Sequence, residues 1–160
     1  MTFALVLLTF FALLHLPPLR RLPALTTAAD RAAVASGLFF IGAGLLHFLS
    51  PARFEAMIPP QLPAPHFLVL LSGVFEVAGG VGMLLRRTRP LAALGLIALL
   101  LAILPANIHE AMANSASHVL PLPDWYFWLR IPFQGVYLAW VAWAGGLSRA
   151  IGRARLAAHG

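Results

Sequence analysis

Six polar side chains stand within or beside apolar stretches of this 160-residue chain: His47, Glu76, Asn107, His109, Arg130 and Gln134. Glu76 sits near the centre of FLVLLSGVFEVAGGVGMLL (67–85) and is the one ionisable group of that run. Placing an acid at such depth in a membrane costs on the order of 2.5 kcal/mol or more, so a partner is expected. Arg130, in WLRIPFQGVYLAWVAWA, carries the opposite charge, and Gln134 follows it one helical turn later. Pairing Glu76 with Arg130 is the expected solution, because either charge alone would be uncompensated in a low dielectric. Asn107 and His109 follow Pro105, which cannot donate to the carbonyl of Leu101; a kink and a free acceptor are expected there. His47 closes an earlier apolar run at a similar height, and Ser72, Gly73, Gly79 and Gly80 leave room beside the acid for a packed helix or a bound molecule.

A quinone carbonyl calls for a hydrogen-bond donor and, on reduction, a proton source. His109 and Arg130 can donate, and Glu76 can pass protons. The same residues also admit a plainer reading, an ion pair that fixes the helix arrangement together with two interfacial histidines. No catalytic residue is assigned. Neither HxxxH nor HxxE spacing occurs, and His109 and Glu110 point to different faces of a regular helix, so no metal site is read. With no cysteine in the chain, thiol chemistry on its own residues is excluded, and redox chemistry would need a bound cofactor or a partner.

The elements that must position these groups are membrane helices. Hydrophobic residues make up 61% of the chain and charged ones 10%, where soluble domains carry about a quarter. One integral membrane domain fills 1–160, with spans expected at 2–16, 31–49, 67–85, 90–114 and 126–148. Thr26, Thr27 and Asp30 offer capping groups for the second span, and Pro90 suits the first turn of the fourth. The loop 50–66 holds five prolines and is expected to lie at the interface, with Phe54, Met57 and Ile58 dipping inward. Trp125, Tyr126 and Trp128 form an aromatic belt at the start of the fifth span.

All of the net charge of +6 comes from arginine, and nine of eleven arginines lie in three sets: 20, 21 and 31; 86, 87 and 89; and 149, 153 and 155. These fall on alternate connections, which is the positive-inside pattern. It places the N-terminus outside and the C-terminus in the cytoplasm, and argues for headgroup contacts rather than nucleic acid.

The segments GLLHFLSPARFEAMIPPQLPAP, LVLLSGVFEVAGGVGMLLRRTR, GLIALLLAILPANIHEA and WLRIPFQGVYLAWVAWA, with the six polar positions, resemble the DoxX-like family of small bacterial membrane proteins. The resemblance runs from about Ala32 to Ala144. It implies an all-α polytopic bundle, a four-helix core preceded here by a short N-terminal transmembrane helix, in the bacterial cytoplasmic (inner) membrane. Such proteins resemble accessory subunits of membrane redox systems, the name deriving from a subunit associated with a thiosulfate:quinone oxidoreductase. The expectation is therefore an accessory or quinone-interacting subunit, with quinone as ligand, a membrane or peripheral oxidoreductase as partner, and self-association as a further option. Two alternatives remain: a small proton-coupled transporter using Glu76 as a relay, and a structural or assembly partner in which the polar cluster locks the bundle.

Overall fold

The computed structural model describes residues 2–20, 22, 25–113 and 124–148. Seven helices follow in order among these: α1 (Thr2–Leu13), α2 (Pro17–Arg20), α3 (Ala28–Leu49), α4 (Pro51–Glu55), α5 (Pro65–Leu84), α6 (Arg89–Ala113) and α7 (Asp124–Ala144). Residues 115–123, between the fourth and fifth expected spans, and Arg21, Arg149, Arg153 and Arg155 lie outside the described residues.

Local chemistry sets the boundaries. Thr27 caps α3: its Oγ1 accepts from the Asp30 amide at 3.1 Å, while the Thr27 amide donates to Asp30 Oδ2 at 3.2 Å, a reciprocal capping box. That cap starts α3 at Ala28, three residues before the expected Arg31. At the head of α5, Pro65 occupies the first turn, where its missing N–H is no loss. Ala64, with φ 51°, turns the proline-rich loop into that helix. Gly146, with φ 72°, follows α7, which ends at Ala144 rather than near Ser148.

Three helices, Ala28–Leu49, Pro65–Leu84 and Arg89–Met112, are long and apolar enough to cross a membrane. Twelve residues of α1 rise about 18 Å and do not alone match a hydrocarbon core of about 30 Å. The 21 residues of α7 match it in length.

α3, α5, α6 and α7 form a ring in which α3 meets α5, α5 meets α6, α6 meets α7 and α7 returns to α3, with α1 lying on α3. The tightest seam is α3 against α5. These two helices run antiparallel, so Gly37 meets Gly80 and Gly44 meets Gly73; a Cβ on Gly44 would lie 2.7 Å from the Gly73 carbonyl. Small residues let backbones approach closely, which is how helices gain dispersion energy in lipid. Gly79 is likewise filled by the Leu96 side chain. The glycines around Glu76 therefore serve helix packing and do not line a space beside the acid.

Side-chain packing divides the bundle along its axis. Ala33, Phe40, Met83, Ala93, Leu96 and Val141 build a buried core, most of it in the half that carries the 85–88 turn. We call this half the arginine end. Trp140 donates from Nε1 to Ser36 Oγ at 3.0 Å there, and Phe11 of α1 packs edge-on to Trp140. The opposite half, the proline end, contains a cavity.

Candidate functional site

A cavity of about 450 Å³ lies among α3, the 54–62 segment, α5, α6 and α7. Aliphatic and aromatic side chains make most of its wall, while His47, Ser72, Glu76, Asn107, Arg130 and Gln134 bring polar groups to it. Phe54, Met57 and Ile58 dip into it from the proline-rich segment, and Phe54 stacks on His47 at 3.8 Å between ring centroids.

One side is a hydrogen-bonded chain between α6 and α7. Arg130 donates from Nη1 to Glu110 Oε2 and from Nη2 to Asn107 Oδ1 at 3.0 Å. Asn107 Nδ2 donates to Gln134 Oε1 at 2.9 Å, and Gln134 Nε2 donates to the Leu100 carbonyl. The spacing explains the geometry: Asn107 and Glu110 stand at i, i+3 on α6 and meet Arg130 and Gln134 at i, i+4 on α7. Pro105 lies inside α6, yet the helix continues to Ala113. The carbonyl taken up by Gln134 is that of Leu100, one residue before the expected Leu101.

Glu76 has a different environment. The expected Glu76–Arg130 pair does not form, because the carboxylate of Arg130 is Glu110. Glu110, near the end of the span expected at 90–114, is 3% exposed and faces α7. Glu76 Oε2, also buried, has no hydrogen-bond partner among the described residues. Its nearest charged or chargeable neighbour is His47, whose Nδ1 lies 3.7 Å away. That nitrogen donates to the Ala43 carbonyl at 3.0 Å, which fixes the proton on Nδ1 and turns it from the acid.

His109 does not line the cavity. Its Nδ1 donates to the Met57 carbonyl at 3.3 Å and ties the proline-rich segment to α6. The structure thus brings His47, Glu76, Asn107, Arg130 and Gln134 to one cavity and gives His109 a supporting place. Among the described residues, no group of three His, Asp or Glu side chains is arranged to hold a metal ion.

A second polar cluster, at the arginine end, was not read from the sequence. Asp30, besides closing the capping box of α3, pairs with Arg89 at 2.6 Å and Arg86 at 3.2 Å. Arg89 donates from Nε to the Met83 carbonyl at 2.9 Å, binding the end of α5 to the start of α3. Arg31 donates to the Leu25 carbonyl at 2.7 Å and to His15 Nε2 at 2.9 Å. Arg31 and Arg89, grouped in the sequence with headgroup-facing arginines, are both buried. The signal available beforehand was a lone acid, Asp30, level with the arginines of the next turn.

Fold and cavity together define an all-helical protein, with three helices long and apolar enough to cross a membrane and an internal cavity that carries polar groups. The family model described as a domain of unknown function (DUF8561) matches residues 34–145, from within α3 to just past α7, and the chain belongs to that family. Comparison with curated proteins and with solved structures finds no match.

Proposed function

We propose that this chain is a DoxX-like, quinone-interacting accessory subunit of a redox system in the bacterial cytoplasmic membrane. In this reading α1 and α7 complete five spans, with the N-terminus outside and the C-terminus inside. A membrane or peripheral oxidoreductase would be its partner. The observation that carries the reading is the unpartnered Glu76 carboxylate in the wall of a largely apolar cavity. A buried polar atom left without a hydrogen bond costs about 1–3 kcal/mol, and a ligand that supplies the bond recovers that cost.

Across the cavity, the hydrogens of Arg130, Asn107 and Gln134 not used within their chain can donate to a quinone carbonyl. Glu76, when protonated, can donate to the other carbonyl and supply a proton that reduction requires, and its carboxylate can then accept from the hydroxyl formed. In this reading the electrons come from the partner, since the chain has no cysteine for thiol redox chemistry of its own.

A structural or assembly role is the second reading, and the closed Glu110–Arg130–Asn107–Gln134 chain favours it, because those groups already satisfy one another. Native purification in lipid nanodiscs with mass spectrometry of bound molecules separates the two. Retained quinone that is lost in Glu76→Ala supports the redox reading. Phospholipid alone, with the variant merely altered in stability, contradicts it.

A further inference from the structure

We infer that the cavity is entered sideways from the bilayer, between α5 and α6, and that its ligand is an amphiphile whose polar ring enters while its apolar tail stays in that seam. This rests on the quinone-class reading above and adds the route and the form of the ligand.

α5 and α6 are close where the short 85–88 turn joins them: Leu96 fills the position of Gly79, and Ala92 lies against Gly82. Toward the proline end Leu99 and Ile103 continue that face of α6 into the cavity, and the outer flanks of the two helices carry Leu71 and Phe75 on α5 and Ala102 on α6. These three residues line the cavity and are also exposed, Leu71 at 36% and Phe75 at 54%. A side chain that borders a cavity and the outer surface at once marks its mouth.

That surface belongs to two of the helices apolar enough to cross a membrane, so the mouth opens onto lipid. Leu46 of α3 and Leu62 of the proline-rich segment also meet both conditions, but Leu46 lies two residues from Gly44, on the side of α3 away from α5, and neither has a second such residue on a neighbouring helix as Ala102 has in Leu71 and Phe75. The mouth is therefore the α5/α6 seam, where three such residues stand on the two helices. Polar groups lie deeper, on the inward faces that carry Glu76, Asn107 and Gln134. A molecule with a hydrogen-bonding ring and an aliphatic tail matches this order from mouth to interior. A compact, fully polar solute does not.

The cysteine-free sequence permits a direct test. Ala102→Cys, Leu46→Cys and Leu62→Cys are each labelled in detergent with pyrene maleimide and reconstituted into nanodiscs, with unlabelled samples of the same variants as controls. Binding of a ubiquinone with a two-isoprene tail is followed by quenching of tryptophan fluorescence. The label at position 102 is expected to slow association by about tenfold or more and to raise Kd as well, because it occupies the seam that the tail must pass and fill. Labels at 46 and 62, which border the cavity away from that seam, are expected to leave the association rate within about twofold.

Slowing by the label at 62 would overturn the proposal in favour of entry from the aqueous face, and slowing by that at 46 in favour of the α3/α7 seam. Rates unchanged by every label would also overturn it. Absence of quinone binding in the unlabelled proteins and in the original chain would instead remove the quinone reading, and the entry route with it.

Discussion

The arginine end and the proline end both bury acids, yet they satisfy them differently. At the arginine end Asp30 receives Arg89, Arg86, Thr26, Thr27 and a backbone amide. Around it the helices are packed to a continuous core. At the proline end Glu110 is answered by Arg130, whereas Glu76 is left with an unbonded oxygen at a cavity. A saturated network gives up no hydrogen bond to a ligand without losing one of its own, so its effect is to hold helices together. An unsaturated group beside a cavity weakens the fold and is available for binding. Charge alone does not mark a functional site in this bundle; incomplete satisfaction next to space does.

Breaking the saturated end should have the largest effect. Arg89→Ala leaves Asp30 buried with its nearest cation gone, and a loss of about 3–5 kcal/mol is expected in denaturant unfolding from nanodiscs or mild detergent. The double variant Asp30→Asn, Arg89→Gln should recover part of that loss. Next is Arg130→Ala, which strands Glu110 and should cost a similar or smaller amount, about 3 kcal/mol.

A double-mutant cycle sharpens the contrast. Glu110→Gln with Arg130→Gln should show a coupling of about 1 kcal/mol or more, while Glu76→Gln with Arg130→Gln should be additive within about 0.5 kcal/mol. Coupling of the second pair would restore the Glu76–Arg130 pairing that the sequence suggests. Gly44→Leu should follow, at about 1–3 kcal/mol, since its side chain would press on Gly73 and Val77. Thr27→Ala, which removes one cap of α3, should cost about 1 kcal/mol.

How much could be read beforehand follows from the range of each interaction. The three long apolar helices, the capping role of Thr27 and the inward turn of Phe54, Met57 and Ile58 depend on local composition and short spacing, and each was legible. Five of the six polar candidates do meet at one cavity. The partner of Arg130 was not legible from depth alone, because it depends on the register between α6 and α7, and that register brings Glu110 level with Arg130. Asn107 and Glu110 at i, i+3 facing Arg130 and Gln134 at i, i+4 is the pattern that would have found it. Asp30 was missed for the opposite reason. Its local capping role was sufficient to explain it, and its pairing with Arg89 spans 59 residues of chain.

The most direct test of this contrast is the thermal stability of Glu76→Leu in nanodiscs, with and without the two-isoprene ubiquinone. Replacing an unpartnered buried acid with an apolar side chain should stabilise the free protein by about 1–3 kcal/mol and abolish the stabilisation that quinone gives the original chain. A variant that is less stable than the original, or one that quinone stabilises equally well, would contradict the assignment of Glu76 to a ligand site.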